Sequence, residues 1–240
     1  MEKTQAIVLH SLKYGDSQII VDLFTKSHGR LSFLVRLSKS AKGKMKRQYF
    51  QPFMLLCVEF DFRSNAHLQK MKDVWIDLPL VDVHFSPSKL SLCFFLSEFL
   101  GYCTRCEQQN SVLFTYIYNS ILWLDQAKDS FANFHVVFML RLTSFLGMKP
   151  NLSIADKETV FDLVEGCFVE HVPLHSHYLL AEDALRMVNL FRLSYKTMHL
   201  YSMSRAERNH CVEVIVDYYK LHIPGFPEMK TLPILNELFA

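Results

Sequence analysis

Over residues 1–80 the apolar positions come in short runs broken by Gly and Asp. Thr4–Tyr14 is rich in Ile, Val and Leu and stops at Gly15-Asp16; Gln18–Thr25 (QIIVDLFT) stops before His28-Gly29. Leu31–Leu37 (LSFLVRL) alternates apolar and polar, and Phe53–Phe62 and Leu68–Leu78 complete five runs. Runs this short, with β-branched residues clustered in them, favour strands over helices. Gly and Asp at the breaks supply positive φ or a side-chain-to-backbone bond. Five short strands in about 80 residues predict a small closed barrel, for which the five-stranded OB-fold is the natural candidate.

After Pro87 the period changes. Ser86-Pro87 is a helix start, a hydroxyl cap followed by proline in the first turn. Ser88–Gln109 carries Leu92, Phe95, Leu96, Phe99 and Leu100 on one stripe, and Ser111–Lys128 repeats the theme. Asn133–Leu146 is apolar nearly all round, which marks a central helix, and Gly147 and Pro150 end it. Ala181–Leu193 and Ser204–Leu221 are two more helices, the latter opened by the capping box Ser204-Arg205-Ala206-Glu207. Between them Phe161–Glu170 reads as a small hairpin turning at Glu165-Gly166. The expected fold is α+β and multidomain. An OB-fold barrel over 1–80 is followed by an all-α helical domain over 81–240, with a β-hairpin insertion near 161–170.

Charge sharpens this division. The whole chain is only +2, but residues 1–80 hold 13 Lys and Arg against 7 Asp and Glu, hence +6, which leaves −4 on 81–240. Arg36–Arg47 (RLSKSAKGKMKR) concentrates six of the bases with no acid; lacking apolar periodicity, it is expected to be a mobile loop between the third and fourth strands. With half the residues apolar and only 7 Gly and 8 Pro, disordered and collagen-like chains are excluded. The six Cys are scattered, which fits reduced, buried thiols better than a disulfide framework. MEKTQAIVLHSLK lacks the long apolar core of a signal peptide, and Glu98 and Arg141 interrupt the two greasiest stretches. A cytoplasmic protein is expected.

A mobile loop with six positive charges suits a polyanion, because each phosphate it neutralises releases condensed cations. An OB barrel adds a groove in which aromatic faces stack on unpaired bases. Tyr14 and Tyr49 flank turns and are the stacking candidates, whereas Phe24 and Phe33 lie in apolar runs and belong to the core. The plainer alternative is a merely solvated charge run, with the barrel gripping a protein; the chain would then be a non-enzymatic adaptor. Cys103-Thr104-Arg105-Cys106 has ligand spacing but sits in a helical stripe without a second such pair, so two structural thiols are expected there. Cys167, His171, His175 and His177 offer four donors, yet their spacing, with Val172-Pro173-Leu174 between, fits no zinc module. Neither metal nor cofactor is expected. No phosphate-cradling Gly loop, GxSxG or HExxH occurs and the acids are dispersed, so no enzyme is expected.

Several segments together resemble the RecO family of bacterial recombinational DNA repair proteins. They are Lys3-Thr4, Ala6-Ile7-Val8-Leu9, Tyr14-Gly15-Asp16, Phe24-Thr25, His28-Gly29-Arg30-Leu31 and Gln51-Pro52-Phe53, and then Arg141-Leu142 with Phe145-Leu146-Gly147-Met148-Lys149-Pro150-Asn151-Leu152. The resemblance implies an OB-fold followed by a helical domain, binding of single- and double-stranded DNA, and annealing of complementary strands. It implies RecR as a partner and contact with the acidic tail of the single-stranded DNA-binding protein, so that RecA can load. It departs at one point: many members carry a four-cysteine zinc module where residues 152–180 hold only Cys167. Packing is expected to replace the metal in this hairpin.

The DNA-binding candidates are thus Lys39, Lys42, Lys44, Lys46 and Arg47, helped by Arg36, Lys26 and Arg30 if they face the same side, with Tyr14 and Tyr49 for stacking. A tail that is acidic and ends in an aromatic needs an apolar pocket rimmed by bases. Arg141, Arg186, Arg192 and Lys196 are the rim candidates, although Arg141 reads equally well as a buried, paired arginine.

Overall fold

The structure, a computed structural model, describes residues 1–38, 40, 45–153 and 160–238. By packing the chain forms two compact units, one of residues 1–126 joined by the C-terminal helix from 229 onward, the other of residues 127–228. The first two helices and the C-terminal one therefore belong to the barrel's unit.

Strands β1 (Glu2–Lys13), β2 (Gln18–Thr25), β3 (Gly29–Arg36), β4 (Leu55–Phe60) and β5 (Gln69–Ile76) close a barrel in the order β1-β2-β3-β5-β4. The β3–β5 pair is parallel, and the other pairs are antiparallel. Alternate residues such as Val8, Val21, Phe33, Val58 and Val74 fill the interior, and Phe50, in the 3-10 turn Arg47–Phe50, joins this cluster. The strands match the period-2 runs to within a few residues at each end. One irregularity matters later. β1 inserts an extra residue, Leu9, between the pairs Val8↔Leu23 and His10↔Asp22. Such a bulge reverses which side chains face inward beyond it.

Helices α1 (Pro87–Cys103) and α2 (Ser111–Gln126) follow. The pattern carries α1 to Gln109, but the helix stops six residues sooner. Thr104 Oγ1 folds back onto the Leu100 carbonyl at 2.7 Å, and the released chain lets the Glu107 carbonyl accept the Arg30 amide at 3.4 Å. This crossing needs Gly29. Its φ is +68°, and a Cβ there would lie 2.7 Å from the Gln108 carbonyl carbon and nearer still to two carbonyl oxygens. The early stop also changes the Cys103/Cys106 reading, since Cys103 is buried at the helix end while Cys106 is exposed beyond it.

Two carboxylates tie the first unit together. Asp125 accepts the amides of Val81, Asp82 and Val83 at 2.8–3.0 Å. Beside it the ammonium of Lys89, itself buried, meets the Asp125 carbonyl at 3.1 Å and the Asp82 carboxylate at 2.6 Å. Glu98, on α1, accepts the amides of Lys230 and Thr231, the Thr231 hydroxyl at 2.5 Å and the Tyr102 hydroxyl. It thereby caps α6 (Thr231–Leu238). Burial alone would raise the Glu98 pKa, but these donors outweigh it and hold the group below the ordinary carboxylate value.

The second unit holds α3 (Phe134–Phe145), β6 (Val160–Asp162), β7 (Cys167–Val169), β8 (Tyr178–Leu179), α4 (Ala181–Arg192) and α5 (Arg205–His222). The Ser204/Glu207 capping box forms as the sequence indicates. The hairpin turns through Asp162, whose carboxylate accepts the Val164 and Glu165 amides. It gains a third strand, β8, which at two residues is too short to show a period. Phe161, Leu163, Phe168 and Leu179 pack on Ala184, Val188, Val214 and Tyr218. Among the described residues no helix is long and apolar enough to cross a membrane.

Candidate nucleic-acid interface

Strand alternation decides which cations reach solvent. On β3 the inward set is Phe33 and Val35, so Leu34 and Arg36 point out, and Arg36 is exposed. The parallel register sets Leu34 opposite Lys70, which is also exposed, with Lys72 two residues along β5. Lys72 pairs with Asp61 at 2.6 Å, at a half-exposed position. Lys70 and Lys72 were missed from sequence. Their alternation in QKMKDVWI is visible there, but the strand they would lie beside is set by a non-local parallel pairing.

The basic segment leaves the barrel at the Arg36 end of β3. Leu37 N bonds the Ser17 carbonyl at 2.8 Å, and Ser38 N bonds the Met45 carbonyl at 2.9 Å, so the segment departs and returns beside the β1–β2 turn. Arg47 is exposed and Lys46 half-buried at the return. Lys39, Lys42 and Lys44 lie outside the described residues, as do Ala41 and Gly43 of the loop expected to be mobile.

The other barrel candidates are not all brought to this end. Tyr14, at the β1–β2 turn, is 53% exposed and available for stacking. Tyr49 instead packs half-buried against the barrel core. Lys26 and Arg30 sit at the far end of β2 and β3, next to the Thr25↔Gly29 pair. Seven strand residues lie between Gln18 and Lys26, and Arg30 pairs with Phe24, so both are roughly 20 Å or more from Gln18 along the strand. Arg30 is held by the Asp22 carboxylate at 2.9 Å and by the Gly101 carbonyl. Lys26 donates to Gln5 Oε1 at 3.0 Å. Both conditional helpers thus belong to the other end of the barrel. Phe24 and Phe33 are fully buried, Phe24 against Phe114.

In the second unit Arg141 donates through Nε and Nη2 to the Leu193 carbonyl that ends α4, which is the paired reading of this residue. Arg186 meets Glu182 and Glu207 at 3.4 Å and Asp183 at 3.9 Å. Arg192 and Lys196 are exposed. An apolar cavity of about 30 Å³, lined among others by Leu140, Leu152, Phe161, Leu163 and Phe191, lies within this unit. Of the histidines, His175 contacts Asp162 at 3.3 Å and accepts the His177 amide, while His171 is exposed. Among the described residues no group of three His, Cys, Asp or Glu side chains converges as a metal ligand set.

A barrel of OB type with exposed cations at one end, joined to helices and a small sheet, is an architecture that nucleic-acid-binding proteins use. Comparison with known proteins makes this specific. Residues 1–78 match the family model described as Recombination protein O N terminal, and residues 84–232 match Recombination protein O C terminal. A protein named DNA repair protein RecO from Phocaeicola vulgatus is 43% identical over 240 residues, spanning the whole of both chains. One of the same name from Bacteroides fragilis is 44% identical over 240 residues, covering 100% of this chain and 99% of its own. Another from Porphyromonas gingivalis is 32% identical and covers 98% of each. The chain belongs to the RecO family, and its work lies in DNA repair and recombination.

Proposed function

We propose that this protein binds single- and double-stranded DNA through its barrel and anneals complementary strands. In the same reading it helps RecA load onto DNA coated by the single-stranded DNA-binding protein, and does no covalent chemistry itself. One observation carries the proposal. Exposed Arg36 and Lys70 stand on the outward face of paired strands, beside the base of a segment whose sequence adds Lys39, Lys42, Lys44, Lys46 and Arg47 without an acid. Two strands that must pair repel each other along their whole length. Cations bound to both lower that repulsion, and the condensed counter-ions they release supply sequence-independent affinity.

Residues 1–80 are then the DNA-binding region and 81–240, at −4, the partner-binding region in the cytoplasm. RecR and the acidic tail of the single-stranded DNA-binding protein are the partners. Exposed Arg192 and Lys196 are the cations best available to the tail's carboxylates; Arg141 and Arg186, already engaged, contribute field and not contacts. The apolar cavity of about 30 Å³ in this unit is too small for an aromatic ring, so seating one there requires Phe191 and its neighbours to move.

The test is fluorescence anisotropy with single-stranded and duplex oligonucleotides across a salt series, repeated with the tail peptide present. Replacing Lys39, Lys42, Lys44, Lys46 and Arg47 by Ala should lower the log–log slope for a single strand by about 3.5, at roughly 0.7 per phosphate. An unchanged slope removes the segment from the interface. Retention of a partner protein at all salts, without retention of any oligonucleotide, would make the barrel a protein adaptor.

A further inference from the structure

The bulge in β1 reshapes the outer wall of the barrel. Alternation from the inward residues Ala6 and Val8 would point His10 and Leu12 into the interior. The extra residue Leu9 turns both outward; Leu12 is 56% exposed, and His10 stands in one cross-strand row with Asp22 and Ser32. His10 and Asp22 of this row line a cleft of about 540 Å³ that lies wholly within the first unit. Helix α1 contributes Phe94, Ser97 and Tyr102 to the lining, Arg105 follows just beyond the helix, and Lys230 and Thr231 come from the start of α6.

The acids and the bases of this cleft are not equally engaged. Asp22 accepts the Arg30 guanidinium at 2.9 Å and the Ser32 hydroxyl at 2.5 Å, and Glu98 accepts two amides and two hydroxyls. Arg30 is 19% exposed and is anchored on the Gly101 carbonyl as well. Arg105 and Lys230, in contrast, are exposed, and neither meets a carboxylate among the described residues. The Arg105 guanidinium lies over the Tyr102 ring, 5.6 Å from its centre. Phe94, 48% exposed, offers a second aromatic face, and Leu9 and Pro52 add apolar surface. Positive charge without a counter-ion thus borders an aromatic and apolar lining.

We propose that this cleft binds a nucleotide ending in a phosphomonoester, with the phosphate on Arg105 and Lys230 and the base against Phe94 and Tyr102. The volume falls within the range of about 300–1,000 Å³ typical of small-ligand sites. A nearly dianionic phosphate suits two cations that have no acid of their own, and both donate charge-assisted hydrogen bonds to it. A flat base suits exposed aromatic faces. Inorganic phosphate satisfies the cations alone, and a nucleoside satisfies the aromatic faces alone. The same chemistry has two sources, a free mononucleotide and the 5′-phosphorylated end of a DNA strand; a phosphodiester within a strand carries only one charge. Asp22 stands four residues along β2 from Gln18, about 13 Å from the row that holds Arg36. The inference therefore goes beyond the DNA-binding reading and stands if that reading fails.

Calorimetric titration of the full chain with deoxyadenosine monophosphate, deoxyadenosine and inorganic phosphate tests the proposal. The nucleotide should bind at least about tenfold more tightly than either fragment. Arg105→Ala and Lys230→Ala should each weaken the nucleotide about tenfold without changing deoxyadenosine, and Phe94→Ala should weaken both about tenfold. Single strands with a 5′-phosphate or a 5′-hydroxyl separate the sources. A tenfold preference for the phosphorylated end, lost in Arg105→Ala, assigns the cleft to strand ends; nucleotide binding without that preference assigns it to the free molecule. Hydrogen exchange of the parent protein needs no substitution. The bound phosphomonoester, whichever form binds, should protect 101–106 and 229–232. Three results overturn the proposal: no response to either the nucleotide or the 5′-phosphate, inorganic phosphate binding as tightly as the nucleotide, or protection confined to other segments.

Discussion

Arg36 and Arg186 lie on the surfaces of regular elements in different units, and their surroundings differ completely. Arg36 ends a strand on which Leu34, two residues back, stands opposite the exposed Lys70, so two cations share one outward face of the barrel. Arg186 lies on a helix, where Glu182 and Asp183 are four and three residues back, and Glu207 of α5 completes the ring. Period 2 with cross-strand pairing leaves the first cation with a field to share; period 3.6 gives the second its own counter-ions. The first arrangement destabilises the isolated protein slightly and invites an anionic ligand. The second makes a surface on which fewer cations remain available. The contrast explains why a net charge of +2 says so little about this chain, and why its parts say more.

The units also differ in what locks them. The first depends on buried polar nodes, and its sharpest test is Asp125. Asp125→Ala removes the acceptor of three amides and leaves that of Val83 buried. A loss of about 3–4 kcal/mol is expected, since bonds to a charged group are the strong ones and orphaned donors add their desolvation cost. Asp125→Asn, which keeps one acceptor oxygen, should lose less. Chemical denaturation measures both, and equal, small losses would show that the 81–83 turn is held by its packing. Next in size is Gly29→Ala. The left-handed backbone and the carbonyls of Glu107 and Gln108 both oppose a Cβ, so about 2–3 kcal/mol is expected from the same measurement.

Much of this architecture was legible because it is local. Period 2 gave the five strands, and Ser204 with Glu207 gave the start of α5. What was not legible is held by bonds between distant residues. The C-terminal helix α6 is capped by Glu98, more than 130 positions away, so no local cap announces it. Its one sequence signal is Pro233 in the first turn, the device already visible at Pro87. The early end of α1 depends on Gly29 and Arg30 in another element. The exposed position of Leu12 depends on one inserted residue in β1, and the place of Lys70 opposite Leu34 on a parallel register. The cationic loop was visible as composition; the face it borders was not.

Acid should separate the units in the opposite sense to the mutations. In the second unit burial, with Arg208 adding to it, pushes the His135 pKa down to about 3. The unfolded chain takes up that proton near pH 6.5, and the folded one does not, so stability present above 6.5 is lost as pH falls toward 3. The slope is about 1.4 kcal/mol per pH unit. In the first unit the Glu98 and Asp125 carboxylates are held below their ordinary values, Asp125 by the three amides and Lys89 against the opposing effect of burial. Their contribution is intact above the ordinary carboxylate range and is lost only as pH falls through it. Hydrogen exchange at pH 7 and pH 5, corrected for its intrinsic pH dependence, should show α3 opening first while α1 and the barrel stay protected. His135→Phe should flatten the effect. Earlier opening of the barrel would reverse the assignment.

The smallest expected effects test the comparison most directly. Arg186→Ala removes a side chain that is 18% exposed and shared among three carboxylates that remain solvated, so it should cost under about 1 kcal/mol of stability. DNA affinity and salt slope should not change. Arg36→Ala removes an exposed cation that shares its outward face with Lys70 and pairs across the sheet with the neutral Gln18, so stability should stay level to within a few tenths of a kcal/mol. Its salt slope for a single strand should fall by about 0.7. The two substitutions delete the same charge from the same chain. If both change DNA binding equally, net charge governs the interaction and the strand geometry is irrelevant. If only Arg36→Ala does, the affinity belongs to a place on the barrel, set by register, and the acidic pairing around Arg186 keeps that cation out of the competition for phosphate.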